Sequence, residues 1–372
     1  MKILITGGAG FIGSHLADRF LREGFTVRVL DNLHPRVHPE GLPAYVPSQV
    51  EFIRGDVTSY TDWERALNGV DIVFHQAAYQ DYAPDYSEFA RVNVSGTALL
   101  FEVLAATRVP IRKIVVASSQ AVYGEGQYHC AVHGLVLPSP RNDESLERQL
   151  WDVSCPQCRT PLKPALLEEN HPNPLSPYGI SKYAQEITAL KMSAFLGIPC
   201  VALRYSITQG PRQSLFNQYS GIARIFALRL LNGQRPIAFE DGLMQRDYVH
   251  VLDVVEANWI VMNDERAVGR AFNVGSGVAT TVLDYAERLA QRMGRHIRPE
   301  IPGVYRRGDA RHSVSDIEKL KGLGWRPRRT LDDILDDFLS WVDSLGGLDL
   351  ALSDKHEKLL EMQVLRLSSS SK

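Results

Sequence analysis

Cysteine is scarce: four residues in 372 are too few for the disulfide framework of a small secreted fold, and in a reducing compartment thiols serve metal or catalytic chemistry instead. Long apolar runs are missing too. None approaches the roughly 20 residues that cross a bilayer, and Met1 leads straight into a strand-like stretch without an apolar leader. These absences predict a cytoplasmic protein with no membrane partner. Charge of one sign is not in excess: 41 Lys and Arg against 43 Asp and Glu leave a net charge of −2, so bulk electrostatics favours neither nucleic acid nor an anionic lipid surface. Only the serine-rich end, Ser368 to Ser371, reads as disordered. A chain of this length buries a substantial core, as one large α/β domain with an appended lobe or as two modest domains.

What is present begins at the N-terminus, where the apolar run Lys2-Ile3-Leu4-Ile5-Thr6 breaks into Gly7-Gly8-Ala9-Gly10-Phe11-Ile12-Gly13. Spaced glycines between a strand and an amphipathic helix, here Ser14 to about Glu23, form a dinucleotide cradle. Gly7, Gly8 and Gly10 permit backbone conformations and a close approach that a Cβ would block, and Gly13 lets the helix lie close on the sheet. The helix start aims its N–H groups at a pyrophosphate, with Phe11 and Ile12 in the same turn. The next strand, Thr26 to Leu30, ends at Asp31. A carboxylate there accepts from adenosine ribose hydroxyls and repels a 2′-phosphate, which favours NAD over NADP.

Further strand-like runs follow at Val50–Ile53, Val70–His75 and Lys113–Ala117. Asp56, beside Val57, is placed to meet the adenine amino group, and the small residues of Gln76-Ala77-Ala78 suit a strand end pressed against a cofactor. Asn32, Asn93 and Ser118 complete the expected cofactor contacts. Apolar spacing around Val92, Leu99, Leu100 and Val103 predicts one helix from Tyr86 to Ala106. Alternating strands and helices imply a parallel, doubly wound sheet with its ligand beyond the strand carboxyl ends. Helical pattern returns from Pro177 to Leu196, and Cys200–Tyr205 is a strand. Arg246 to Val251 is expected to return to the main sheet, Phe272-Asn273-Val274-Gly275 to open a last lobe, and a basic helix carrying Arg224 and Arg229 to belong to that lobe. The expected division is therefore 1–124 with 175–205 and 246–272 as the cofactor domain, 125–174 as an insertion, 206–245 with 273–345 as a substrate lobe, and 346–372 as a tail.

Tyr178 and Lys182 stand four apart, on one helix face. A phenol titrating near 10 is a poor base, and a neighbouring cation together with the charge of NAD⁺ favours its phenolate; a shift to about 7 takes roughly 4 kcal/mol. Tyr178 would then take a hydroxyl proton as hydride leaves the same carbon, with Lys182 also holding the nicotinamide ribose. Ser119, at a strand end facing the same cleft, would bond the substrate oxygen.

These motifs, with Val122-Tyr123-Gly124 after Ser118-Ser119 and with Arg246-Asp247-Tyr248-Val249-His250-Val251, resemble the extended short-chain dehydrogenase/reductases, and within them the nucleotide-sugar epimerases and dehydratases. The resemblance spans residues 1 to about 345 apart from the insertion. It implies a Rossmann-type fold with a smaller C-terminal substrate lobe, a catalytic trio of Ser119, Tyr178 and Lys182, and Tyr205 near the nicotinamide. It further implies Arg246 and Arg306 on a nucleotide diphosphate, with Gln120 beside Ser119 at the substrate. Family habit makes a homodimer through Tyr86–Ala106 and Pro177–Leu196 the expected assembly. Dehydratases carry an Asp-Glu pair where this chain has Gln120 and Ala121, which argues against elimination of water. An asparagine usual near the substrate phosphates is replaced by Ile207.

Between Gly124 and about Pro174 the regular rhythm stops. Cys130-x-x-His133 and Cys155-x-x-Cys158 are two close-spaced ligand pairs, the layout of a structural zinc knuckle with no open position for catalysis. Such an insertion resembles that of epimerases acting on dTDP-6-deoxyhexoses such as dTDP-L-rhamnose. The expected activity is an NAD-dependent nucleotide-sugar 4-epimerase. A 4-ketoreductase or dehydrogenase with exchangeable cofactor, and a non-catalytic NAD- or nucleotide-sugar-binding regulator, stay open as alternatives.

Overall fold

Short runs of β-branched and aliphatic residues bounded by turns build a central sheet of seven parallel strands in a computed structural model that describes residues 1–82, 84–217, 221–346 and 356–368. The first five in sequence are β1 (Lys2–Thr6), β2 (Thr26–Asp31), β3 (Glu51–Arg54), β4 (Ile72–His75) and β5 (Lys113–Ser119). Cys200–Tyr205 and Ala271–Val274 complete the sheet. The spatial order runs β3, β2, β1, β4, β5, Cys200–Tyr205, Ala271–Val274. Strand order reverses between β1 and β4, so a crevice opens at their carboxyl ends. Every residue of β1 after Lys2, and all of Cys200–Tyr205, is buried, as a sheet covered on both faces requires.

One face packs Leu16 and Phe20 of helix α1 (Phe11–Arg22) with Val254 and Val261 of the helix Val251–Asn263. The other packs Trp63, Leu100, Val103 and Ala189 from three helices, of which the longest is Pro177–Leu196. That helix starts where Ser176 accepts the Gly179 N–H at 3.0 Å, carries Pro177 in its first turn, and ends at Gly197 with φ of +71°. These are the expected start and stop signals.

Three expectations are corrected. The seventh strand is Ala271–Val274, paired with Ala202–Tyr205, and not Arg246 to Val251. A strand of a sheet covered on both faces favours a nearly continuous apolar run even at the edge, where Ala271–Val274 lies; Arg246 and Asp247 interrupt one, and Gln245–Arg246 pairs instead with Thr280–Thr281 and His312–Ser313, and Tyr248–His250 with Ile207–Gln209. The Tyr86–Ala106 segment is not one α-helix: Tyr86–Phe89 is α-helical, Ala90–Ser95 is a π-helical turn, and Gly96–Thr107 resumes the α-helix. By length and composition alone residues 86–107 would pass for a membrane span, yet Asn93, Thr97, Leu100 and Val103 are buried within the protein. Arg224, on the helix Ile222–Leu231, is buried, so its helix does not present it as a solvated basic face.

The lobe beside the sheet packs the helices Ile222–Leu231, Val282–Arg292 and Leu331–Ser344 around Phe226, Tyr285, Leu289 and Phe338. Residues beyond 355 return to it: Leu365–Leu367 pairs antiparallel with Val304–Arg306, placing Leu365 opposite Arg306. Ser368 is buried and its hydroxyl accepts from Gln149 Nε2 at 2.8 Å, contrary to the disorder expected there; positions 369–371 lie outside the described residues. The 125–174 stretch forms a three-stranded antiparallel sheet, with Tyr128–Cys130 between Gly134–Val136 and Lys163–Pro164, around a small core of Tyr128, Val136, Val153 and Leu162.

Candidate active site

The turn after β1 fits a dinucleotide because side chains are missing where the backbone must be bare. Gly7 sits at φ of +66°, and a Cβ there would lie 2.8 Å from the Ala77 nitrogen. At Gly13 a Cβ would lie 2.3 Å from the Gly7 carbonyl oxygen, and at Gly8 2.5 Å from Val29 Cγ2. α1 begins with Gly10 as its N-cap and no side-chain cap, so the helix start offers its N–H groups to an anion. At the end of β2 the buried Asp31 carboxylate accepts the Ala9 N–H at 3.0 Å and the Leu33 N–H at 2.9 Å. Burial pushes its pKa up, against the pull of those two N–H groups and of His38.

A continuous cavity of about 1080 Å³ runs from this turn to the lobe. Gly7, Gly10, Phe11, Ile12, Gly13, Asp31, Asn32, Asp56, Val57, Gln76, Ala77 and Ala78 line its cofactor end. Ser118, Ser119, Gln120, Tyr178, Lys182, Tyr205, Arg246 and Arg306 line the remainder. Asn93 is not at the wall. It lies fully buried behind it, where its amide takes the Tyr79 N–H at 2.7 Å and donates to Ser181 Oγ at 2.9 Å. The π turn is what points it inward, a common use of such turns at functional sites.

Ser119 ends β5 and caps the short turn after it by accepting the Ala121 N–H at 3.1 Å. It also shares a hydrogen bond with the Tyr178 phenol. Burial pushes Tyr178 up to about 12 and Lys182 down to about 7. The expected pull of the ammonium on the phenol is therefore not the dominant effect: Lys182 Nζ is turned to the side-chain carbonyl of Gln185, and desolvation favours the neutral form of both groups. Below them, Glu186 accepts Ser118 Oγ at 2.6 Å and two Arg204 nitrogens at 2.9 and 2.6 Å. Tyr205 donates to Gln76 Oε1 at 3.2 Å, both residues lining the same cavity.

At the far end, Arg246 is anchored by donating to the Ala310 carbonyl at 2.8 Å and the Arg311 carbonyl at 3.2 Å. Arg306 lies over the Tyr82 ring at 4.4 Å and 5.8 Å from the Phe239 ring. The insertion braces this loop: Arg141 donates to the Asp309 carbonyl at 2.7 Å, and Glu125 accepts the Arg311 N–H at 2.7 Å. Ser313 donates to Gln120 Oε1 at 3.1 Å. Tyr82, Phe239, Leu359 and Met362 also line the cavity and were not singled out from the sequence. Tyr82 stands four residues past Ala78 in the segment that follows the end of β4, which is the signal that marks it; no local pattern marks the other three.

In the insertion, the ligand atoms of Cys130, His133, Cys155 and Cys158 lie within 4.8 Å of one another. Cys130 Sγ is 3.5 Å from His133 Nδ1 and 3.6 Å from Cys158 Sγ, and Cys155 Sγ is 3.4 Å from His133 Nδ1.

Comparison with known proteins agrees with this geometry. Residues 3–143 match the NAD dependent epimerase/dehydratase family and residues 160–338 match GDP-mannose 4,6 dehydratase. The chain is 34% identical to dTDP-L-rhamnose 4-epimerase of Burkholderia thailandensis, over 92% of this chain and 94% of that protein. Its fold is similar to that of UDP-glucose 4-epimerase from Thermotoga maritima with UDP-glucose, with a TM-score of 0.75 and 29% identity over 93% of this chain and 99% of that one. A Thermus thermophilus UDP-glucose 4-epimerase in complex with NAD gives a TM-score of 0.70 and 30% identity over 91% and 99%. With the glycine cradle, the Asp31 carboxylate and the Ser119–Tyr178–Lys182 grouping on one cavity, the chain belongs to the NAD-dependent epimerase/dehydratase family.

Proposed function

We propose that the protein is an NAD-dependent nucleotide-sugar 4-epimerase acting on a dTDP-6-deoxyhexose such as dTDP-L-rhamnose. The observation that carries the reading is the convergence of Ser119, Tyr178 and Lys182 on the cavity that the glycine turn opens. NAD⁺, when bound, supplies a hydride acceptor and donor for the sugar C4 and a fixed positive charge. The residues of the chain do the rest. Asp31 and the bare turn hold the dinucleotide, and Lys182 holds its nicotinamide ribose. Tyr178, whose phenol resists ionisation on its own, would take the C4 hydroxyl proton when that charge is beside it and return it to the C4 oxygen as hydride is re-added on the opposite face of the ketone. Ser119 bonds the same oxygen and hands the proton across. Arg246 and Arg306 grip the diphosphate, and Gln120, oriented by Ser313, faces the sugar.

Gln120 and Ala121 stand where an elimination would need an acid and a base. The match to GDP-mannose 4,6 dehydratase begins at residue 160, beyond those positions, and so does not bear on that chemistry. The relative from Burkholderia thailandensis, a dTDP-L-rhamnose 4-epimerase, supports the choice of sugar. Incubating the purified holoprotein with dTDP-L-rhamnose, without added cofactor, is expected to yield the C4 epimer by NMR with no net NADH formed. A ketoreductase would instead consume NAD(P)H mole for mole.

We further propose that the insertion holds a structural zinc ion. A tetrahedral site with Zn–S near 2.3 Å and Zn–N near 2.0 Å has ligand–ligand edges of roughly 3.5–3.8 Å; the separations of 3.4, 3.5 and 3.6 Å fall at that size. The Val132 N–H donates to Cys130 Sγ at 3.4 Å, which favours its thiolate. A reducing cytoplasm keeps all three sulfurs available. Metal analysis is expected to find about one zinc per chain, and Cys155→Ser to lose it. Hydrogen exchange should then rise across 125–174 while bound NAD is retained; full protection without zinc would refute the site. The exposed apolar residues Ile180, Ile187, Met192 and Phe195 on the helix Pro177–Leu196 support a homodimer through that helix.

A further inference from the structure

Behind the cavity a buried line of polar side chains runs from Lys182 to β1. Lys182 Nζ donates to Gln185 Oε1, and Gln185 Nε2 donates to Thr97 Oγ1 at 3.1 Å. Thr97 gives its own proton to the Asn93 carbonyl at 2.7 Å. A hydroxyl committed in that way only accepts from its other neighbours, so His75 Nε2, 2.9 Å from it, carries a proton. The tautomer is thus assigned by the network. His75 Nδ1 is then an acceptor and takes the Thr6 hydroxyl at 2.7 Å, while Thr6 Oγ1 accepts the Ala77 N–H at 3.1 Å. One amide orientation and one tautomer satisfy every link. Flipping the Gln185 amide would set donor against donor at Lys182 and take the donor away from Thr97.

The line is sealed from water: Gln185, Thr97, His75 and Lys182 are each no more than 1% exposed. Among the described residues no carboxylate bonds the ammonium, although the charge of Glu186 pulls its pKa up. Glu186, on its own helix, is committed to Arg204 and Ser118; Tyr178 stands one turn earlier, and His75, facing from β4, is held neutral down to about 3 by burial and by Lys182 itself. A buried cation with no carboxylate in contact depends on nearby dipoles to hold its charge, and the carbonyl of Gln185 is the dipole in contact.

We propose that Gln185 is a positioning residue for the epimerase reaction, its side-chain carbonyl locked by Thr97 and His75 so that it holds the Lys182 ammonium one helical turn from Tyr178. The inference rests on the reading of Lys182 as a member of the catalytic trio. Burial already lowers Lys182 to about 7, so its charge is present below that pH and lost above it. Removing an acceptor for the charged form lowers the pKa further and moves the alkaline loss of activity toward acid; adding a carboxylate moves it the other way.

The test is the pH profile of kcat for the holoenzyme and its variants. Gln185→Leu is expected to shift the alkaline limb down by about one to two pH units, Gln185→Glu to shift it up, and both to retain NAD with a nearly unchanged KM. Thr97→Val, which keeps the shape but releases the amide, should shift the limb in the direction of Gln185→Leu and serves if the leucine variant does not fold. Limbs that stay in place, or activity that falls equally at every pH, would overturn the proposal. Lys182→Met separates the two readings. If it loses activity while the Gln185 limbs stay fixed, only the role of Gln185 falls; if it keeps wild-type turnover, the reading of Lys182 falls and this inference with it.

Discussion

Tyr178→Phe is expected to lower kcat by about 10³-fold or more, the upper part of the range for a positioned acid–base group, while bound NAD and the KM for the nucleotide sugar change little. The substitution removes one oxygen and leaves the ring, whose edge meets Phe89 with centroids 6.5 Å apart, so the wall of the cavity keeps its shape. A loss of about 10³ corresponds to roughly 4 kcal/mol of transition-state stabilisation. Both half-reactions need the phenol, once to take a proton and once to return it. A variant retaining more than about a tenth of the activity would mean that another group moves the proton.

The largest expected effect on stability is at Glu186. Its carboxylate is the ionic partner of Arg204, both side chains are only 3–4% exposed, and it also takes the Ser118 hydroxyl. Glu186→Ala leaves a buried guanidinium whose remaining acceptors are the Tyr123 hydroxyl at 2.8 Å and the Glu169 carbonyl at 2.8 Å. Breaking such a pair on one side costs about 3–5 kcal/mol, read as a lower urea midpoint at an unchanged slope. Adding Arg204→Leu should recover part of that loss, because it removes the stranded charge. A single variant with a wild-type midpoint would show that the pair does not hold the strand Cys200–Tyr205 to the helix Pro177–Leu196.

What was legible in the sequence is what chemistry writes locally. The glycine turn, Asp31 at the end of β2 and the Tyr178–Lys182 spacing each follow from contacts over a few residues, and all of them face one cavity. The seventh strand was misplaced because Ala271–Val274 is only four residues long, while the longer run through Arg246 and His250 carries comparable β propensity. Asp247 is buried where it lies, but beside the Ser276 and Ser315 N–H groups that satisfy its carboxylate, and no window of sequence displays where such partners stand. Leu359 and Met362 were missed for a related reason: only the pairing of Leu365–Leu367 with Val304–Arg306 brings their segment to the cavity. The Lys182 neighbourhood was read as a charge beside a phenol, since the spacing shows which residues share a face but not how deeply that face is buried.

The six residues Ala90–Ser95 set a limit on how this chain can change length. A π turn accommodates one residue beyond the α-helical repeat while the turns on either side stay in phase, so deleting any one of them would let the helix heal into regular winding and remove the wide turn that carries Asn93. Asn93 would then leave the Tyr79 N–H, which its side-chain carbonyl now accepts at 2.7 Å. A one-residue deletion that a surface loop absorbs without consequence would here unfasten the packing behind the cavity wall.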